Sequence, residues 1–203
     1  MSEKAALDKY IEITSQEVNE FVSKIDKVAL EQAKTIITEA KLVGGRVHIT
    51  GIGKPSHVAE YAAALYSSTG TPAYALDATE AVHGSAGQVQ KNDVVIAISN
   101  SGETEELKNT IQALKKIGIQ TISISGGINS WLAQHTDVFI FAGVNQEGDY
   151  LNKPPRLSIV VEILILQCLS ILLQEAAKIT FEDYYLWHPG GALGKAVEKL
   201  IQD

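Results

Sequence analysis

The stretch Val94–Glu106, VVIAISNSGETEE, constrains this chain more than any other. Val94 to Ser99 is a short, nearly continuous apolar run, the pattern of a strand buried on both faces. Asn100, Ser101 and Gly102 make a polar turn, and Glu103–Lys116 reads as a helix. The chain on either side repeats this grammar. Arg46–Thr50, Ala73–Leu76, Ile119–Ser125 and Val138–Phe141 read as further strands, with helices at His57–Ser67, Asn129–His135 and Leu157–Ala176. Strands alternating with helices predict an α/β fold: a doubly wound, five-stranded, mostly parallel sheet flanked by helices. Ligands of such sheets sit at the carboxyl ends of the strands. The polar loops of this chain follow strands, so they can converge there.

A helical extension, about residues 1–42, precedes the first strand. Leu7, Tyr10, Ile11, Val18, Phe21, Ile25 and Val28 recur at helical spacing, and Ser23–Asp26 marks a break between two helices. Ala33, Ile36, Ile37 and Ala40 continue the apolar stripe, which Gly44-Gly45 ends. This extension is expected to pack outside the sheet or against another subunit. Phe181–Tyr185 and Ala192–Ile201 read as short helical segments around His188-Pro189-Gly190-Gly191. With no repeat, linker or low-complexity tract, the 203 residues read as one domain, 1–203.

Charge and composition remove several classes of function. A net charge of -7 with no basic block predicts no nucleic-acid partner and no anionic-membrane partner. Any anion site must be made locally. The run Ile159–Leu173 is interrupted by Glu162, Gln167 and Ser170. It falls short of the ~20 apolar residues of a membrane span, so a buried or interface helix is expected. The single cysteine, Cys168, excludes an internal disulfide, and MSEKAALDKY has no apolar signal core, so the expected setting is cytoplasmic. No CxxC or HExxH occurs, and no metal is expected. No complete dinucleotide fingerprint or P-loop ending occurs either, and no cofactor is expected.

The candidate site residues lie in the loops. Ser99, Ser101 and Thr104 place three hydroxyls beside a helix N-terminus, where free N–H groups bind anions. Helix capping explains one such hydroxyl more naturally than three. Glu103 and Glu105 read as stabilisers of the helix start, and Glu106 could point back toward a pocket. Gly51-Ile52-Gly53-Lys54 is either a tight turn or a loop whose glycines admit a ligand, with Lys54 supplying charge and Ser56 a hydroxyl. Glu147, a loop glutamate, is solvent-facing by default. His83 and His188 lie in glycine-bearing loops; His135 ends a short helix; His48 and His57 read as structural or surface residues.

With these motifs in view, the chain resembles the sugar isomerase (SIS) domain family, and within it the isomerase domain of arabinose-5-phosphate isomerases. The resemblance rests on GIGK at 51–54, STGTPAYAL at 68–76, EAVHG at 80–84, DVVIAISNSGETEEL at 93–107 and FEDYYLWHPGGALGK at 181–195. It implies a phosphosugar bound at the strand ends of a homo-oligomer, a dimer or tetramer, with sites shared between subunits; the long first helix and the apolar Leu157–Leu173 helix favour a tetramer. By resemblance the catalytic residues are Lys54 of GxGK, Glu106 of SGExxE, Glu147, His188 of HPGG and His83 of EAxHG. The phosphate falls to Ser99, Ser101 and Thr104, with Ser56 beside them. The expected activity is aldose–ketose isomerisation of a phosphosugar. Lys54 would stabilise an oxyanion while a carboxylate or His188 moves the proton. The alternative is a phosphosugar sensor that binds without converting. The chain departs from the pattern at Pro55, usually a serine, and at Pro155–Ile159, where a Thr/Ser-rich run is usual and only Ser158 keeps a hydroxyl. It also ends where many relatives append paired CBS domains.

Overall fold

The computed structural model describes residues 2–202, apart from the side chains of Leu193 and Gln202; Met1 and Asp203, the ends of the expected 1–203 span, lie outside the described residues. Helices α1 (Glu3–Ser23) and α2 (Lys27–Leu42) are separated at the expected break. The Asp26 carboxylate accepts from the Val28 and Ala29 N–H groups at 2.9 and 3.0 Å, which starts α2. The strands are β1 (Val47–Gly51), β2 (Ala73–Ala75), β3 (Val94–Ile98), β4 (Gln120–Ser125) and β5 (Val138–Phe141). Between them lie α3 (Lys54–Ser68), α4 (Ala78–Ala81), a 3-10 turn at Ser85–Gln88, α5 (Glu105–Lys115) and α6 (Trp131–His135). The chain finishes with α7 (Leu157–Ala177), α8 (Phe181–Trp187) and α9 (Gly191–Gln202).

Four helix starts differ from the sequence expectation. Helix α6 begins at Trp131 rather than Asn129, with Ser130 as its N-cap, and α9 at Gly191 rather than Ala192. Helix α3 begins at Lys54 rather than His57, because Pro55 falls in its first turn, where a locked φ and a missing N–H cost nothing. Helix α5 begins at Glu105 rather than Glu103, because Thr104 keeps an extended backbone as its N-cap.

Among the described residues the strands form one sheet in the order β2-β1-β3-β4-β5, with every pairing parallel. The chain moves outward from β1 to β2 and then returns past β1 to β3. The connections after β1 and β3 therefore leave toward opposite faces, which opens a crevice at their carboxyl ends. One face buries Ile49, Ile96, Ile98, Ile122 and Ile124 against α2, α3 and α7. The other buries Val95 and Ala97 against Leu107, Ile111 and Leu114 of α5 and Leu132 of α6. Each of the valine, leucine and isoleucine side chains contributes roughly 1.5–3 kcal/mol by leaving water.

Helix α7 packs against α1, α2 and α3, and the Tyr66 hydroxyl donates to the Leu166 carbonyl at 3.1 Å. By length and composition α7 would suffice to cross a membrane, but half of it is buried inside this fold. Its 21 residues run about 30 Å, from the carboxyl ends of the strands to their amino ends. Helix α8 stays at that second end: a Cβ on Gly70, just before β2, would meet Ile179 and Trp187. At the amino ends of β1 and β3 the Asp93 carboxylate accepts from the Arg46 N–H at 2.8 Å and the Gln90 N–H at 2.9 Å. It also lies 3.0 Å from His48 Nε2.

Candidate active site

The loops after β1 and β3 are neighbours because Gly51 is paired with Ile98. Gly53, at φ +69°, ends the first loop and caps α3 without a side chain. Lys54 is exposed beside it. Ser56 Oγ donates to the Gly53 carbonyl at 2.7 Å, so this hydroxyl braces the turn. With Gly51, Gly53, Asp77 and Thr79 it lines a depression of about 350 Å³.

The serine loop is held from several sides. Ser99 Oγ lies 3.2 Å from Thr104 Oγ1 and accepts from the Gly102 N–H at 3.2 Å. Ser101 Oγ accepts from the Glu103 N–H at 3.2 Å. Gly102 adopts φ +67°, and a Cβ there would collide with the Ser130 side chain. The Leu132 N–H donates to the Gly102 carbonyl at 3.2 Å and the Gly126 N–H to the Asn100 carbonyl at 3.0 Å, which stitches the loop to the chain after β4. Thr104 occupies the N-cap of α5 without a side-chain capping bond, which leaves that role for an anion. Glu106 is exposed in the first turn of α5. Glu103 precedes the helix. It accepts from the Trp131 N–H at 2.7 Å and pairs with Lys108 at 2.6 Å, and the Lys108 hydrogen bond holds its carboxyl below the usual range.

Glu147 is buried at 7% exposure, against the default reading of a loop glutamate. Its Oε2 accepts from the backbone N–H groups of Arg156, Leu157 and Ser158 at 2.6, 2.8 and 3.2 Å. Helix α7 lacks a side-chain cap at Arg156; Glu147 reaches across the loop to supply one, and its charge meets the positive helix end. Oε1 makes no hydrogen bond among the described residues. The Arg156 guanidinium is held by Asp149 at 2.7 Å. Lys54, His57, Tyr61, Tyr10 and Arg156 line a groove of about 430 Å³ between α3 and the head of α7. Glu147 thus sits one residue beneath the wall that faces Lys54.

One buried acid has no counterpart in the sequence reading. Glu162 registered only as an interruption of an apolar run, yet it is fully buried, and neither carboxyl oxygen has a hydrogen-bond partner among the described residues. Burial first, then the charge of Glu147, raises its pKa to about 8. The available signal was helical phase, which puts Glu162 on the same face as Ser158, Ile165, Leu166 and Leu169.

The two histidines lie apart. His83 is exposed on the turn after α4, at the carboxyl edge of the sheet. His188 ends α8, stacks on Tyr184 at 3.9 Å between ring centroids, and donates from Nδ1 to the Tyr184 carbonyl at 2.9 Å. It is at the amino ends of the strands, separated from Glu147 by the length of α7. One chain therefore gathers Lys54, Ser56, His83, Ser99, Ser101, Thr104, Glu106 and Glu147 at one end of the sheet and leaves His188 at the other.

A profile of the SIS domain matches residues 43–169. The chain is 42% identical over 159 residues to arabinose 5-phosphate isomerase KdsD of Pseudomonas aeruginosa, covering 78% of this chain and 49% of that protein. It is 39% identical over 171 residues to KdsD of Francisella tularensis, covering 84% and 51%. The chain spans about half the length of these curated relatives. A protein of E. coli CFT073 solved in complex with A5P superposes with a TM-score of 0.85 at 33% identity, over 93% of this chain and all of that one. Vibrio vulnificus NanR, complexed with ManNAc-6P, superposes at 0.73 with 18% identity over 96% of this chain and 68% of its own, a likeness of fold alone. On the profile and these identities, the chain belongs to the SIS domain family.

Proposed function

We propose that this protein is an aldose–ketose isomerase acting on a phosphosugar, of the arabinose-5-phosphate isomerase kind. The observation that carries the reading is Glu147. A carboxylate is fixed through one oxygen at the head of α7, with no hydrogen bond to its second oxygen among the described residues, beneath the groove wall that faces Lys54. The serine loop anchors the substrate phosphate on the N-terminus of α5, which has no side-chain cap. A carboxylate, Glu147 or Glu106, takes the proton from C2 of the open-chain aldose and the C1 oxygen becomes an enediolate, which Lys54 stabilises. Return of a proton to C1, with transfer of the C2 hydroxyl proton to the C1 oxygen, completes the ketose. His188 serves a neighbouring chain's site, since its own is a helix length away, and this makes the working unit a homo-oligomer, a tetramer in our reading. Its setting is cytoplasmic, in keeping with a lone, half-buried Cys168 and no disulfide.

Ribulose 5-phosphate in deuterated water tests the reading, with deuterium expected at C2 of the aldose formed. One feature favours a second reading, that of a sensor: Arg156 brings a bulky cation to the groove beside Lys54. Binding of a phosphosugar panel without exchange would establish that reading instead.

A further inference from the structure

Glu162 is a buried ionisable group that the proposed chemistry leaves without a role. It lies on α7 one turn beyond Ser158. Both of its oxygens, and Ser158 Oγ, are buried without a hydrogen-bond partner among the described residues. Helical side chains lean toward the N-terminus of their own helix. Glu162 therefore leans toward Ser158, whose N–H is bound by Glu147 at 3.2 Å. Among the described residues, the other elements packed on α7 offer it no charge partner. On α3, Tyr66 donates its hydroxyl hydrogen to the Leu166 carbonyl, Tyr61 accepts from Gln167, and Lys54 and His57 stand exposed in the groove. On α1, Glu17 accepts from the Asn145 N–H and Tyr10 lines the groove. Helix α2 buries only apolar residues. Two carboxyl groups thus share the head of α7 with one set of donors, and Glu147 holds that set. An ionised carboxylate without donors or a counter-charge is the least tolerable buried group, and a proton removes the difficulty at once.

We propose that Glu147 and Glu162 form a carboxyl pair carrying one negative charge at neutral pH, with the proton on Glu162, and that Glu162 is thereby a positioning residue for Glu147. The second half rests on the reading of Glu147 as a proton-transfer group; the first half does not. The direction agrees with the raised pKa of Glu162, for which burial and then the Glu147 charge are the causes. As pH rises past about 8, Glu162 ionises, two carboxylates repel each other, and the hold of the α7 N-terminus on Glu147 weakens.

Infrared spectroscopy of the full chain with isotope-labelled glutamate tests the proton without any substrate. A protonated-carboxyl band is expected near neutral pH. It should fade through mildly alkaline pH and be missing in E162Q. In E147Q its midpoint should fall, because a charge that raises it has gone; this arm decides the matter even if E162Q fails to fold. Absence of the band at neutral pH overturns the pair. The positioning role is read from pH profiles of turnover on ribulose 5-phosphate. E162Q imitates the protonated acid, so it should keep kcat within about threefold of wild type at pH 7 and lose the alkaline fall, with KM little changed. Coincident wild-type and E162Q profiles overturn the positioning role. A wild type that shows the band but exchanges no sugar proton upholds the pair and sinks the isomerase reading alone.

Discussion

Glu147 caps α7 through one oxygen and, in the proposed reaction, moves a proton through the other, and substitutions can separate the two. Glu147→Gln keeps an acceptor for the N–H groups of residues 156–158 but cannot shuttle a proton. Turnover should fall ~100- to 10,000-fold while the thermal midpoint changes little. Glu147→Ala also leaves those buried donors unanswered, so it should cost a further ~1–3 kcal/mol in urea unfolding. Equal stability of the two variants would remove the capping role. Ser101 makes a second test at this scale. A leucine there should weaken inorganic phosphate and every phosphosugar alike in calorimetry, since the loop holds the anion and does not read the sugar; selective loss of one sugar would contradict it. Lys54, the serine loop and Glu106 were visible in the sequence because each belongs to a short strand–turn–helix motif. The burial of Glu147 was not, because its partners lie nine to eleven residues away across an irregular loop.

At the scale of elements, α7 and the β1–β3 pair set the response to pH. The Glu162 carboxyl sits at 4.5 in its ordinary range and at about 8 in the fold. Between those values the folded chain holds a proton that the unfolded chain has released. Stability therefore falls as pH rises across that window, at roughly 1.4 kcal/mol per unit where the difference is complete. His48 works in the other direction. Burial depresses its pKa below 6.5 despite the pull of Asp93. Its contribution is present above pH 6.5 and is lost as pH falls through the lowered value. Thermal midpoints should consequently decline from pH 6 to 8 in wild type and not in E162Q; parallel declines would show that Glu162 is not the source. The limits of β1 and α7 were close to legible from apolar period. The depth of His48 and Glu162 was not, because period gives a face but not what covers it.

At the scale of the whole molecule, His188 and the exposed apolar faces pose one question. Leu7 and Ile11 of α1 are 58% exposed, and Leu186 of α8 is 71% exposed. Light scattering on dilute protein should return an oligomer, expected to be a tetramer. The proposed sharing of sites makes a sharper prediction. K54M and H188A should each be nearly inactive, but co-refolded mixtures should recover about a quarter of wild-type turnover, the fraction of sites that random pairing completes. Mixtures no better than their parents would place His188 outside the active site.

By itself the sequence determined the class of fold, the five strands, most helix limits and the loops that carry polar chemistry. These follow from period, turn residues and capping, which act between residues a few positions apart. It also carried the family, through motifs contiguous along the chain. Only the tertiary structure decided the strand order β2-β1-β3-β4-β5, and with it the crevice between the Lys54 and serine loops. It also decided that Glu147 caps α7, that Glu162 lies buried behind it, and that His188 ends on the far side of the sheet. Those outcomes depend on which surfaces meet across long sequence separations. Local propensity does not encode that choice; it is settled when the two faces of the sheet are covered.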